Sequence, residues 1–388
     1  MDDASRLGGG TVTLANWRDP PHNRWAFHHV SQIVPCAMIW SRNELATVWP
    51  DKTRDINDIS FDWNGKSITV TEMLKLTYTD GFVVLHDGQL VHESYDVGMQ
   101  AHMPHILFSV TKSIVGLVAG ILAERGHMDL EKTIGHYLPE MQGSGYADAT
   151  VHHVLDMIVG IGFREDYEAP TGDMVRYREA SGWSIADPRD AVGLRRYVAT
   201  LPPEGRHGDV FKYCSPNTDL LGWVMERASD RAFADLMSES LWVPIGAASH
   251  AYIGVDGYGA ARTSGGLCTT TRDLARLGQL VLDHGRIDKR QIVPEAWLDD
   301  MISHQNSTAW AAGSFAMELP DTRYRSGWYK HGQGAAAIAG LGIYGQALYL
   351  HRSSRTVFAK HSSQPKPLDF ALEAMQRAAF DAIAEELG

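Results

Sequence analysis

The stretch LFSVTKSIVGLVAGILAERG, residues 107–126, is the part of the chain that decides the fold. Its apolar residues recur at helical spacing, namely Ile114, Leu117, Val118, Ile121 and Leu122. Gly126 suits the position just after the last helical residue, where many helices end in a left-handed backbone. Because the predicted helix is apolar on most sides, we expect it to lie in the centre of the protein.

A serine and a lysine open this helix, as Ser109-Val-Thr-Lys112. A spacing of three residues places both side chains on one face of the first turn. A serine hydroxyl is a weak nucleophile until a neighbour takes its proton, and a lysine can take it only in the neutral form. Burial and the positive end of the helix dipole both lower a lysine pKa, and that dipole, with the Ser109 backbone N–H, favours an oxyanion. The pair is therefore a candidate nucleophile and base.

The spacing alone leaves a second interpretation open. A pattern with two fixed positions recurs about once by chance in a chain of this composition. Ser363-Gln-Pro-Lys366 is such a match, in a loop that contains proline. On the same grounds, Ser109 could be an ordinary helix N-cap with Lys112 in solvent.

Patterns typical of β-strands lie towards both ends of the chain. Residues 82–95 form two apolar runs around Asp87-Gly88, which is a strong hairpin signal. Residues 346–360 form two more predicted strands around a turn, and a helix is predicted to follow over about 368–386.

The middle of the chain is predicted to be mostly helical, with one helix capped by Ser215 and begun by Pro216. We therefore predict an α/β fold in which one sheet is assembled from both ends of the chain. In this division, residues 1–108 and 258–388 form the α/β domain, residues 109–257 form a mostly helical inserted domain, and the active site lies between them.

Composition excludes several classes of partner. A net charge of −12 and a pI near 5.8 argue against nucleic acid or an anionic membrane as a partner. No apolar run approaches the roughly 18 residues that a membrane span needs.

The cysteines and the start of the chain bear on its location. Cys36, Cys214 and Cys268 are widely spaced, and the acidic, glycine-rich start is unlike a signal peptide. We therefore expect a cytoplasmic protein.

Metal and cofactor motifs are weak. The histidine pairs lack HExxH spacing, and adjacent histidines face different directions, so we predict no metal site. Residues 340–345 match GxGxxG, but a predicted strand follows where a nucleotide site needs a helix. We therefore expect no cofactor.

A tyrosine lies in Phe211-Lys-Tyr-Cys-Ser-Pro-Asn217, about a hundred residues after Ser109 and just before a predicted helix. Together these segments resemble the penicillin-recognising serine enzymes of the class C β-lactamase-like fold, in which a Tyr-x-Asn-like element joins Ser-x-x-Lys. The resemblance implies that Tyr213 is catalytic. Because the pKa of tyrosine is near 10, Tyr213 can act as a base or proton shuttle only beside a cation such as Lys112.

The resemblance narrows to the 6-aminohexanoate-dimer (nylon-oligomer) hydrolase group and extends over most of the chain. It implies a β-lactamase-like (serpin-type) fold with an antiparallel sheet flanked by helices, and hydrolysis of a small amide or ester without a cofactor. A homodimer is compatible with it. The segments that carry it are Pro20–Phe27, Ser109–Ser113, Leu155–Met157, Glu165–Tyr167, Tyr213–Ser215, Asn217–Asp219, Thr271–Arg276 and Gly342–Gln346.

An oxyanion is usually held by two backbone N–H groups, and the motif that normally supplies the second one is absent from this chain. The family carries Lys-Thr-Gly on an edge strand, and the residue after it supplies a backbone N–H. This chain lacks the triplet, and Lys330-His331-Gly332 lies too far before the turn at Arg352 to share one strand with it. Gly340-Leu-Gly-Ile343 lies about ten residues before that turn, so we place the second N–H at Ile343. A backbone donor tolerates any side chain.

The resemblance also implies a set of substrate contacts. Tyr167 contacts the substrate amide, and Ser264 and Tyr329 belong to the binding pocket. Efficient nylon-oligomer hydrolases carry an acid for the substrate ammonium at the position of Arg178. We expect an arginine there to repel the amino end of a 6-aminohexanoate dimer, unless Glu179 replaces the acid.

The predicted function is therefore an amidase or esterase that works through an acyl-enzyme. Ser109 is the predicted nucleophile, Lys112 its base and Tyr213 the proton carrier, with Ser109 and Ile343 as oxyanion donors. The alternatives are a β-lactamase or D-Ala-D-Ala peptidase, against which the missing Lys-Thr-Gly counts, and a non-catalytic binding protein on the same fold.

Overall fold

The computed structural model describes residues 11–42, 46, 48–96, 98–187, 191–303, 307–332 and 336–388. The strands are β1 (Cys36–Ile39), β2 (Ser60–Trp63), β3 (Lys66–Thr69), β4 (Thr79–His86), β5 (Gln89–Tyr95), β6 (His105–Ile106), β7 (Ala251–Gly254), β8 (Leu267–Thr269), β9 (Arg286–Ile287), β10 (Arg290–Gln291), β11 (Thr322–Arg325), β12 (Trp328–His331), β13 (Ala337–Gly342), β14 (Gln346–His351) and β15 (Thr356–Ser362). The helices are α1 (Asn23–Ala26), α2 (Val70–Leu76), α3 (Val110–Glu124), α4 (Ile134–Tyr137), α5 (Val151–Leu155), α6 (Asp173–Ala180), α7 (Leu194–Ala199), α8 (Ser215–Ser229), α9 (Phe233–Met237), α10 (Thr271–Leu282), α11 (Glu295–Ser303), α12 (Ser307–Ala311) and α13 (Phe370–Leu387).

The main sheet is antiparallel and has the strand order β11-β12-β13-β14-β15-β4-β5. Strands β4 and β5 come from the first hundred residues, and the others come from the last seventy or so. The prediction of one sheet built from both ends of the chain is confirmed. A second sheet, β1-β7-β8-β6, includes the strand that leads into α3.

Both faces of the main sheet are covered because side chains on a strand point alternately to opposite sides. In β4, Val83 and Leu85 belong to the core that contains α3 and α10. Phe82 and Val84 belong to the core on the other face, where the ring of Phe82 stacks 5.8 Å from that of Phe380 in α13. The predicted antiparallel sheet flanked by helices is therefore confirmed.

Helix α3 is central, as its sequence predicts, and it is buried from Val110 to Leu122. Its glycines allow neighbouring backbone to approach closely. A Cβ atom on Gly116 would lie 1.9 Å from the carbonyl oxygen of Ser326, in the turn between β11 and β12. This contact holds the helix that carries Ser109 and Lys112 against the main sheet.

Most predicted elements are present, with small shifts at their ends. Asp87 and Gly88 form the hairpin turn with positive φ at both residues, and α13 begins at Phe370. Helix α8 begins one residue earlier than predicted, so Cys214 is its N-cap and Ser215 is its first residue. The proposed division into two domains stays a prediction.

Within the described ranges, no helix is both long and apolar enough to cross a lipid bilayer.

Candidate active site

Ser109 lies at the start of α3, directly after a residue with unusual backbone geometry. Phe108 has φ of 44°, in the left-handed region that bulky side chains rarely adopt. The Ser109 side chain makes no capping hydrogen bond. Instead its Oγ atom accepts a hydrogen bond of 2.9 Å from Nζ of Lys112. The interpretation of Ser109 as an ordinary N-cap is therefore wrong.

Lys112 is buried, with 3% of its surface exposed. Its Nζ atom donates to Ser109 Oγ, to Ser215 Oγ at 3.1 Å and to the carbonyl oxygen of Ser264 at 2.7 Å. Burial lowers the pKa of Lys112 to about 8, although the charges of Glu165 and Asp219 act in the opposite direction. A neutral amine is therefore accessible near neutral pH, as a general base for Ser109 requires.

A carboxylate reaches this lysine through Ser215. The backbone N–H of Ser215 donates to Glu165 Oε2 at 2.5 Å, and its hydroxyl donates to Glu165 Oε1 at 2.6 Å. The Tyr167 hydroxyl also donates to Glu165. Neither residue was predicted to belong to the site: Ser215 was predicted only as a helix cap and Glu165 had no predicted role, although both lie in segments that carry the resemblance. The only signal for either residue was its place beside Tyr167 or Tyr213.

Tyr213 lies over the base and beside the nucleophile. Lys112 Nζ is 5.0 Å from the centre of the Tyr213 ring. Tyr213 lines the cleft together with Ser109 and Tyr329, and after burial and nearby charges both side chains influence the pKa of its hydroxyl. Burial raises the pKa of Tyr213 well above its ordinary value, so the hydroxyl is protonated at neutral pH. A protonated Tyr213 can relay a proton, but it cannot act as an anionic (tyrosinate) base.

Ile343 opens a short turn, residues 343–345, between β13 and β14. The strand thus ends at Gly342 and does not continue to the turn at Arg352. Tyr344, the next residue, has φ of 62°. Neither the Ser109 N–H nor the Ile343 N–H donates a hydrogen bond within the described part of the chain. Both are thus available to a substrate oxygen.

A glutamine and a lysine hold this turn from behind. Gln346 Nε2 donates to the Ser362 carbonyl at 2.5 Å and to the Tyr344 carbonyl at 3.3 Å. Lys360 Nζ donates to the carbonyl of Gly345 at 3.2 Å. The backbone around Ile343 is therefore fixed by side chains that do not belong to the turn.

One cleft joins several of the predicted residues. Its walls include Ser109, Tyr167, Tyr213, Tyr329, Leu341, Gly342, Ile343, Gln346 and residues that precede or begin α13. The structure therefore brings the predicted nucleophile, the tyrosines and the predicted oxyanion turn to one surface. Of the second Ser-x-x-Lys match, Ser363–Lys366, neither the serine nor the lysine lines the cleft, although Gln364 between them does.

Ser264 is placed inside the protein. Its Oγ atom is hydrogen-bonded to Asp219, Tyr177 and Arg262, and its side chain does not line the cleft. Its backbone N–H donates to Asp219 Oδ1 at 2.7 Å, while its carbonyl accepts from Lys112. In this structure Ser264 contacts the base, and its role in substrate binding stays a prediction.

Arg178, a predicted substrate contact, lies behind Tyr167 and does not line the cleft. Its Nη2 atom donates to the Tyr167 carbonyl at 3.4 Å. Burial, and then the neighbouring charge of Arg178, lowers the pKa of Arg18 to about 10. Among the described residues, neither Arg178 nor Arg18 forms an ion pair with Glu179 or with any other acid. Replacement of the missing acid by Glu179 stays a prediction. The region behind Tyr167 is therefore cationic.

In the described portion of the chain, no group of three His, Cys, Asp or Glu side chains could hold a metal ion.

Comparison with known proteins gives consistent results. The sequence pattern of the beta-lactamase family matches residues 77–382. The chain is 32% identical to 6-aminohexanoate-dimer hydrolase from Paenarthrobacter ureafaciens over 358 residues, which cover 92% of this chain and 90% of that protein. It is 31% identical to esterase EstB from Burkholderia gladioli over 145 residues, 36% of each protein.

A solved structure from Bacillus anthracis, assigned as a 6-aminohexanoate-dimer hydrolase, has the same fold over nearly its whole length. It superposes with a TM-score of 0.89, at 27% identity, and the match covers 97% of both chains.

Proposed function

The chain belongs to the beta-lactamase family, and we propose that it hydrolyses small amides or esters through an acyl-enzyme on Ser109. The observation that carries the proposal is the 2.9 Å hydrogen bond between Lys112 Nζ and Ser109 Oγ inside a buried site. The names of the relatives, a 6-aminohexanoate-dimer hydrolase and an esterase, support the two classes of bond.

Acylation begins with neutral Lys112. Its Nζ takes the proton of the Ser109 hydroxyl as Oγ forms a bond to the substrate carbonyl carbon. The N–H groups of Ser109 and Ile343 are the proposed donors to the resulting oxyanion. When the oxyanion collapses, the bond from carbon to the leaving nitrogen or oxygen breaks and leaves an ester on Ser109.

The proton then moves from Lys112 to the leaving group. The protonated Tyr213 hydroxyl, close to both Lys112 and Ser109, is the proposed carrier. In deacylation the same groups take a proton from water as it attacks the ester carbonyl, and Ser109 regains its hydroxyl. Tyr167 and Tyr329 line the cleft and are the proposed substrate contacts.

A β-lactamase is the second candidate because of the family itself. A β-lactamase uses a cation near the nucleophile to pair with the substrate carboxylate. Lys330 resembles that lysine in sequence, but its Nζ donates to the Ile302 carbonyl at 3.0 Å and it does not line the cleft. This placement favours the amidase or esterase.

The deciding experiment compares three substrates on wild type and Ser109→Ala: a p-nitrophenyl ester of a short acid, the linear 6-aminohexanoate dimer and nitrocefin. We expect ester turnover that Ser109→Ala abolishes, and little turnover of nitrocefin. Turnover that survives in Ser109→Ala would refute the nucleophile, and no turnover of any amide or ester would favour the binding protein on the same fold.

Cleavage of nylon oligomers, a cytoplasmic location and a homodimer remain proposals. The described cysteines, Cys36, Cys214 and Cys268, are all free, which supports a reducing compartment.

A further inference from the structure

The end of the cleft formed by α13 and the segment before it contains three polar side chains with unsatisfied atoms. They are Gln364, in the segment after β15, and Glu373 and Gln376 on the first turns of α13. Gln364 Nε2, Glu373 Oε2 and Gln376 Oε1 are buried and have no hydrogen-bond partner in the described part of the protein. Gln364 and Gln376 are 3% and 2% exposed.

The wall between these atoms and Ser109 is mostly apolar. It includes Phe315, Leu341, Leu368 and Phe370. Glu373 lines the same cleft as Ser109 and Tyr329. The ring of Phe315 connects the two parts of the cleft, since it lies 5.4 Å from the Tyr213 ring and 6.2 Å from the Phe370 ring. An aliphatic chain that extends from Ser109 along this wall therefore leads to Glu373.

Leaving such atoms without partners is costly. A buried carboxyl group that lacks a hydrogen-bonding partner loses its hydration without compensation. Burial raises the pKa of Glu373, and the charge of Arg377 opposes that shift, although Arg377 makes no hydrogen bond to it among the described residues. A ligand that supplies several N–H donors and a positive charge would satisfy Glu373 Oε2 and Gln376 Oε1 together.

Gln364 fixes one side of this end of the cleft against the oxyanion turn. Its side chain packs on Gly345, where a Cβ atom would lie 2.5 Å from Gln364 Nε2 and where φ is 85°. The polar end and the turn that contains Ile343 thus pack against each other in one wall of the cleft. We therefore expect that a group bound at the polar end belongs to the same substrate molecule whose carbonyl Ser109 attacks.

We propose that Glu373, with Gln376, binds a protonated amine at the far end of an aliphatic substrate chain. Glu373 would supply, from α13, the acid that is absent at Arg178. The proposal rests on the proposed function in that the occupant is taken to be the substrate of Ser109. It makes Glu373 a specificity-determining residue.

The test uses inhibitors, so that binding at the polar end is separated from chemistry. Linear alkylammonium ions of about four to eight carbons are compared with the primary alcohols of the same length as competitive inhibitors of p-nitrophenyl butanoate hydrolysis. We expect at least one ammonium ion to bind about tenfold more tightly than its alcohol, because a charged hydrogen bond replaces a neutral one. Glu373→Gln should abolish this preference, and Glu373→Lys should transfer it to the matching alkanoates.

Glu386→Gln is the matched control, because Glu386 is an exposed acid on the same helix. It should keep the ammonium preference. No preference for ammonium in the wild type, or a preference that survives in Glu373→Gln, would overturn the proposal. The proposal would also be overturned if substitutions of Glu373 left the ammonium preference unchanged and only Arg178→Asp altered it.

Failure of the proposed function would be seen separately. Calorimetry on Ser109→Ala measures ammonium and alcohol binding without turnover. If this variant shows the Glu373-dependent preference but the wild type hydrolyses no ester, the polar subsite stands and the hydrolase assignment falls. If the wild type hydrolyses the ester and neither protein prefers ammonium, the subsite falls and the hydrolase assignment stands.

Discussion

The rings of Phe108 and Tyr344 lie 5.2 Å apart, and both residues have a left-handed backbone. Phe108 directly precedes Ser109, and Tyr344 directly follows Ile343. The two proposed oxyanion donors thus sit on separate segments whose unusual turns pack against each other. Strained backbone persists only where surrounding contacts hold it, and here each aromatic ring helps to hold the other turn.

Replacement of Tyr344 by alanine should therefore damage catalysis more than binding. We expect kcat to fall about tenfold to hundredfold with KM little changed, because a small displacement of one oxyanion donor is enough to lose that much rate. Steady-state kinetics on a p-nitrophenyl ester would measure this. Tyr344→Phe retains the ring and should retain most of kcat; an equal loss in both variants would contradict the packing argument.

The pH dependence of kcat/KM should report Lys112. Its neutral form is the base, so activity should rise as the pH rises through about 8, the lowered pKa that burial gives this lysine. The charge of Glu165 acts to raise the pKa of Lys112. Glu165→Gln removes that charge and should move the acid limb of the profile to lower pH.

Glu168→Gln is the control for this shift, because Glu168 is an exposed acid in the same loop. Its acid limb should coincide with that of the wild type. If the acid limb of the kcat/KM profile stayed in place in Glu165→Gln, or moved to higher pH, a group other than Lys112 would be responsible for it.

Tyr213→Phe should lower kcat/KM by about two to four orders of magnitude, as the loss of a proton-transfer group commonly does. The ring that covers Lys112 would remain, and only the hydroxyl beside Ser109 and Tyr329 would be lost. Stopped assays on an amide substrate would show the effect best, since a poor leaving group needs the proton. Tyr258→Phe, at an exposed tyrosine, should behave as the wild type, and a Tyr213→Phe variant within about threefold of it would exclude Tyr213 as the proton carrier.

Asp219 should be essential to stability. It is buried, pairs with Arg262, and accepts hydrogen bonds from Tyr177 and from the Ser264 backbone. Asp219→Ala leaves a buried arginine without its counter-charge, and we expect a loss of about 3–5 kcal/mol in the free energy of unfolding. Chemical denaturation would measure it.

The matched comparison is Glu239→Ala, which breaks the exposed pair with Arg231. An exposed pair contributes about 1 kcal/mol or less. If the two variants lost equal stability, the buried network would not have the role assigned to it.

Much of the fold could be predicted from local patterns. The hairpin at Asp87-Gly88, the buried helix α3 and the pair β14 and β15 each depend on residues close together in the chain. Apolar periodicity and turn chemistry are local properties, so the sequence displays them directly. The resemblance then pointed to Tyr213 and Ile343, which the structure places on the cleft of Ser109.

Other features depend on residues far apart in the chain. Ser215 joins Lys112 to Glu165, the ring of Phe108 packs against that of Tyr344, and Glu373 lines the cleft from the last helix. No local sequence pattern predicts these long-range contacts, because the burial and pairing of a side chain depend on which elements pack together.

The sequence by itself therefore determined the helix that presents Ser109 and Lys112 and the strands that surround it. Only the tertiary structure decided that Lys112 loses its water, and hence that its pKa falls far enough for it to serve as a base. The physical reason is that desolvation is a property of the whole packed interior, to which α3, α8 and the segment around Ser264 all contribute.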